Sequence, residues 1–165
     1  MKTLIVLRHA KSLWDSKLRD IDRPITDKGR NRTLLISNFL KENNIAIDYV
    51  VSSPAVRAME TANIICTQQG FPLDNIVIDK NLYFVNTEKY YEAVFAISDE
   101  KNTALIIGHN PMITSFVNEL ISEPISNMPT SGLLVISFDT TQWNLILNAE
   151  KNITHLIFPK KLEKR

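Results

Sequence analysis

A chain of 165 residues with a formal net charge of +1 and 44% hydrophobic residues is long enough for one domain with a sizeable core, and its charge balance gives no electrostatic reason to expect nucleic acid or an anionic membrane surface as partner. The single cysteine, Cys66, excludes a disulfide framework and a cysteine-based metal site, and reads as a small core residue in a helical pattern. No apolar run approaches a membrane span and the N-terminal run is too short for a signal-peptide core, so the expectation is a cytoplasmic protein.

Taken in chain order, residues 3–7 (TLIVL) form a continuous apolar run, the pattern of a strand covered on both faces. Thr26 then serves as N-cap of a helix over 26–43, with Leu34, Leu35, Ile36, Phe39 and Leu40 along one stripe. A strand at 49–52 (YVVS) leads into a helix over 54–69 that opens on Pro54. A short strand at 76–78 (IVI) and a helix over 87–98 bearing Tyr90, Tyr91, Val94, Phe95 and Ile97 follow. Strand 104–107 (ALII) precedes a helix over 111–121 that opens on Pro111. Residues 133–138 (LLVISF) and 143–147 (WNLIL) flank the polar DTTQ and predict an antiparallel hairpin. The alternation predicts an α/β fold, a three-layer α/β/α sandwich with a mostly parallel central sheet and a C-terminal antiparallel hairpin. Residues 1–159 form the single domain, and 160–165 are a solvated basic tail.

In open parallel sheets, ligands bind beyond the carboxyl ends of the strands. Three strands leave polar residues at that edge: the first delivers Arg8 and His9, the second leads to Arg57 in the opening turn of the next helix, and the fourth delivers His109 just ahead of a helix N-terminus. Two of the three histidines in the chain therefore share one edge, whereas His155 lies in no motif and reads as structural or surface. Helix N-termini favour anions, and guanidinium forks suit phosphate oxygens. A cation at the start of a helix opposes the macrodipole, which points to a function for Arg57. The set describes a phosphate site with imidazoles inside it.

The blocks "LRHAKS", "SSPAVRAMETA" and "GHNP" resemble the signatures of the histidine phosphatase, or phosphoglycerate mutase-like, superfamily, with Ala10 where many members have Gly. The finer pattern "RHAKSLWD", "DRPITDKG", "LIIGHNP" and "MPTSG" resembles the SixA-like phosphohistidine phosphatases. The resemblance implies that His9 is the nucleophile, that Arg8 and Arg57 bind phosphoryl oxygens, that His109 is the second imidazole of the pocket, and that Arg23 is a further phosphate or substrate contact. It implies no cofactor and no metal. A histidine nucleophile has to be neutral, which neighbouring arginines favour, and its second ring nitrogen needs an acceptor to fix the tautomer.

Many members carry an acidic residue after the third strand. This chain has Leu82 and Tyr83 there, and Glu88 nearby lies in a first helical turn, where acids commonly serve the macrodipole. SixA-like proteins are similar in lacking that acid. The expected partner is a protein carrying phosphohistidine. The alternatives are a phosphatase for a small phosphate ester, with the same pocket, and a phosphate-binding module without turnover. The short connections argue against the enclosed site of a mutase.

Overall fold

The structure, a computed structural model, describes residues 1–163. Six strands, β1 (Lys2–Arg8), β2 (Tyr49–Ser52), β3 (Val77–Ile78), β4 (Thr103–Gly108), β5 (Leu133–Phe138) and β6 (Lys151–Ile157), make one sheet in the order β3-β2-β4-β1-β5-β6. The β3, β2, β4 and β1 neighbours pair in parallel, while β5 runs antiparallel to both β1 and β6. The fold is thus the predicted α/β sandwich.

Alternate residues of each central strand face opposite layers, as the two-residue period of a strand requires. Ile5, Leu7, Val50, Leu105 and Ile107 pack under α1 (Asp27–Glu42) and α2 (Val56–Gln69). Leu4, Val6, Val51, Ala104 and Ile106 pack under α3 (Thr87–Phe95) and α4 (Met112–Leu120). Helix α1 begins where the sequence suggests, with the Thr26 side chain accepting from the Gly29 amide. Helix α2 begins two residues later than expected, at Val56, and Pro54 lies outside it. Cys66 is buried in α2 among core residues, and burial pushes its thiol pKa up to about 12, in keeping with an inert packing role.

The second strand of the predicted hairpin needs correction. Residues 143–145 form a single 3-10 turn rather than a strand, because Trp143 leaves the sheet direction to bury its indole. The Trp143 amide donates to Asp99 Oδ1 and its Nε1 to the Lys101 carbonyl, while Leu145 and Leu147 face solvent. The antiparallel partner of β5 is β6, a later segment whose first four residues are exposed and so show no apolar run. His155 sits in β6 with its ring edge-on to Phe39 at 5.0 Å, a packing contact. Beyond β6, α5 (Pro159–Leu162) lies against α1, and Glu163 pairs with Arg32 at 2.7 Å. Lys164 and Arg165 of the expected tail lie outside the described residues.

At the end of β4, Gly108 is dictated by space: a Cβ there would lie 1.9 Å from the Tyr90 hydroxyl oxygen, the same oxygen that accepts the His109 amide at 3.1 Å. Gly108→Ala is therefore expected to cost about 1–3 kcal/mol through overpacking. A urea denaturation midpoint matching wild type would show that Tyr90 yields freely.

Candidate active site

The carboxyl ends of β1, β2 and β4 bring Arg8, His9, Arg57 and His109 together. His9, Arg57 and His109 are 7%, 1% and 2% exposed, and the two imidazole centroids stand 4.8 Å apart. His9 Nδ1 lies 2.7 Å from the carbonyl of Ala10, which can only accept, so Nδ1 carries the proton. Nε2 is left with its lone pair, and Arg57 Nε donates to it at 3.3 Å. The Ala10 carbonyl is thus the acceptor that fixes the tautomer. Its residue is held in turn by Thr61, whose hydroxyl accepts the Ala10 amide at 2.9 Å and donates to the Arg57 carbonyl at 2.6 Å.

His109 is oriented through its other nitrogen. Nε2 lies 2.7 Å from Ser53 Oγ, and that oxygen also accepts the Ala55 amide at 3.3 Å. With the Ser53 hydroxyl donating to Nε2, the His109 proton sits on Nδ1. Nδ1 is buried and has no protein partner among the described residues, as is also true of Arg8 Nε and Arg23 Nε. Buried donors of this kind are costly unless something accepts from them. Arg8 is fixed by donation from Nη1 to the Met128 carbonyl at 2.8 Å, and its own carbonyl accepts the Ser131 amide at 3.1 Å. The "MPTSG" block therefore clamps the end of β1, with Ser131 at φ 56° making the bend.

Arg23 joins the cluster through Asp20, a residue the sequence did not single out. The Asp20 carboxylate accepts from Arg57 Nη2 at 2.9 Å, pairs with Arg23 Nη2 at 3.0 Å and accepts the Tyr83 hydroxyl at 2.6 Å, and its carbonyl accepts Arg57 Nη1 at 2.6 Å. Residues 13–24 leave β1 and return, closed by a bridge between Ser12 and Ile25 and by donation of the Thr26 amide to the Lys11 carbonyl. A carboxylate beside "DRP" gives no hint in sequence that this excursion delivers it to the arginines. Glu60, Thr61 and Ser53 were equally silent as individuals. The Ile25 amide donates to Glu60 Oε2 at 2.7 Å, so the "AMETA" stretch of α2 supports both the strand end and the excursion. Glu88 is exposed in the first turn of α3 and engages none of these groups among the described residues.

Electrostatics follow from this packing. Burial chiefly, with the charges of Arg57, Arg8 and Arg23, pushes the His9 pKa down to about 3 against the pull of the Ala10 hydrogen bond. Burial, then His9 and Arg57, pushes His109 down to about 2. Both rings are neutral at neutral pH. Desolvation raises the Asp20 pKa, but the hydrogen bonds from Tyr83 and Arg57 and the charges of Arg57 and Arg23 outweigh it and hold the carboxyl below its ordinary range. The cluster can therefore bind an anion through guanidinium and imidazole N–H groups while keeping one imidazole lone pair available for attack. The donors are nitrogen throughout, and no group of three or more His, Cys, Asp or Glu suited to a metal occurs among the described residues.

Comparison with known proteins identifies relatives of the chain. The model of the histidine phosphatase superfamily (branch 1) matches residues 4–83. An uncharacterised protein of Mycobacterium leprae (strain TN) is 30% identical over 144 residues, 79% of this chain and 86% of that protein. Among solved structures, a SixA described as a phosphohistidine phosphatase from Agrobacterium tumefaciens superposes with a TM-score of 0.81 at 24% identity, covering 96% of this chain and 98% of that one. A second SixA, from Nakamurella multipartitia, gives 0.78 at 25% identity with 96% of each chain covered. No helix among the described residues is long and apolar enough to cross a membrane.

The histidine pKa values give a pH prediction. Above pH 6.5 both rings are neutral folded and unfolded, so they add no pH dependence. Below it the unfolded histidines bind protons and the folded ones do not, and stability falls with pH towards the folded values, by at most about 1.4 kcal/mol per pH unit for each ring. His109→Gln should therefore flatten the loss of urea midpoint between pH 6.5 and 4.5. An unchanged slope would mean that His109 is protonated in the folded protein.

Proposed function

The chain belongs to the histidine phosphatase superfamily, and from that premise we propose that it is a phosphatase working through a covalent phosphohistidine at His9, with protein phosphohistidine as its substrate. The observation that carries this reading is the state of His9: a buried, neutral imidazole whose Nδ1 proton is held by the Ala10 carbonyl and whose Nε2 lone pair faces the Arg57 guanidinium.

His9 Nε2 attacks phosphorus, and the bond to the leaving group breaks with its electron pair going to that group. Arg8 and Arg57, with Arg23 beside them, take the equatorial oxygens, and His109 donates from Nδ1 to the same charge. Water then attacks the phosphorylated His9. The P–Nε2 pair returns to the ring, and the water proton leaves with phosphate or solvent. Positive charge for both steps comes from guanidinium groups, so the reaction runs without a divalent ion.

Substrate choice follows from the acid–base inventory. An alkyl leaving group departs as a strongly basic alkoxide unless it is protonated, a service worth about 10²- to 10⁴-fold. The carboxylate in contact with the cluster is Asp20, which its partners hold ionised, and the Tyr83 hydroxyl is engaged on Asp20. The imidazole of phosphohistidine, protonated on its second nitrogen, leaves neutral and needs no such donor. The SixA proteins named above are described as phosphohistidine phosphatases, which supports the same choice.

With phosphohistidine on a carrier protein as substrate, kcat/KM should exceed that for an alkyl phosphate of similar size by at least about 10²-fold, and an equal or greater value for the alkyl ester would favour the small-ester reading. Acid-labile phosphate should map to His9 in a quenched reaction and vanish in His9→Ala, and phosphate found on another residue would remove His9 from its role. Arg57→Lys should lose rate by about 10-fold or more although the charge remains, because a point ammonium cannot reproduce the planar, bidentate contact of the guanidinium. Full activity in that variant would show that charge alone suffices.

A further inference from the structure

Just after Leu82 and Tyr83 the chain places a ring under backbone strain. Phe84 has φ 48°, the left-handed region that an aromatic residue adopts only at a cost and that gathers at functional sites. Its ring centroid stands 5.4 Å from that of His109, and the Arg57 guanidinium carbon lies 5.9 Å from it. Those two partners are almost wholly buried, yet Phe84 is 52% exposed. One part of the ring therefore covers the reacting groups, and the rest is open to whatever enters. Trp14, 79% exposed, lies in the same way over Arg23, 5.2 Å from its guanidinium carbon. Aromatic surface thus lies over two of the arginines of the site, and neither ring is used to fill the core.

We infer that Phe84 is a specificity-determining residue whose exposed ring face stacks on the leaving group and selects a flat, π-bearing ring over an alkyl chain or a sugar. The inference rests on the phosphatase reading and narrows it. A phosphohistidine ring about to leave carries a proton on its second nitrogen and hence positive charge. Beside Arg8, Arg23 and Arg57 that charge is repelled, whereas the face of a phenyl ring attracts it. Stacking adds to the same preference for any aromatic leaving group. An alkyl or sugar group has neither the plane nor the charge to use this surface. The backbone at φ 48° places the ring where it covers His109 and still presents a free face.

The test compares Phe84→Leu, which keeps apolar bulk without a ring, and Phe84→Tyr, which keeps the ring, on three substrates: a phosphohistidine peptide, 4-nitrophenyl phosphate and an alkyl phosphate. Inhibition by orthovanadate serves as a measure of the phosphate pocket. Phe84→Leu should lower kcat/KM about three- to tenfold for the two ring-bearing substrates, leave the alkyl ester and vanadate inhibition unchanged, and lower the peptide value more than the aryl one. Phe84→Tyr should retain wild-type selectivity. Phe84→Gly, which removes ring and strain together, should lose selectivity without losing thermal stability, and so separates the effect from misfolding. Equal losses on all three substrates with weaker vanadate inhibition, or unchanged selectivity in an active Phe84→Leu, would overturn the role of Phe84 alone. Wild-type protein releasing phosphate from none of the three would overturn the phosphatase reading and the inference with it.

Discussion

One hydroxyl joins the two halves of the site. Thr61 Oγ1 accepts the amide of Ala10 and donates to the carbonyl of Arg57, so the residue that fixes the His9 tautomer and the residue that faces its lone pair are spaced by a single side chain. Separate contacts hold the neighbouring parts of the site. The end of β1 is held from the other side by Ser131, the excursion after it is tied to α2 by Glu60, and His109 is set by Ser53 at the entrance to the same helix. Helix α2 is thus a positioning device as much as a packing layer. Geometry fixed to within a fraction of an ångström is what in-line phosphoryl transfer demands of its surroundings.

The legible parts of the sequence were those in which one physical demand dominates. Leu4 to Leu7 and Ala104 to Ile107 are buried on both faces, so their composition alone marks them as central strands. Arg8, His9, Arg57 and His109 were found because polar residues directly after such runs fall at one sheet edge, and the structure does bring all four together. Strand β6 was not found because an edge strand with exposed residues carries no apolar signal. The run 143–147 misled because the burial of Trp143 is satisfied by one side chain and two hydrogen bonds, with no strand around it. The Ala10 carbonyl was invisible in principle, since every residue has one. Asp20 required knowledge of where a long excursion returns.

The site also shows how a small fold keeps several cations together. Arg57 is fully buried beside the partly exposed Arg8 and Arg23. An unpaired buried charge would be strongly destabilising. Asp20 answers this with both carboxylate oxygens and its carbonyl, while Tyr83 satisfies a further lone pair. The histidines meet the same field by remaining neutral, chiefly through burial with the arginine charges adding to it, so an imidazole lone pair stays available.

Asp20 has one more consequence. The resting cleft carries its own counter-ion, so an incoming anion trades places with a carboxylate or shares guanidinium protons with it. What that anion gains is the difference between two ion pairs rather than the whole of one. Free phosphate, with nothing but its charge to offer, profits least from such an exchange. A phosphoryl group attached to something larger recovers the difference from contacts made elsewhere. The same carboxylate is placed to reclaim the arginines when an anion leaves.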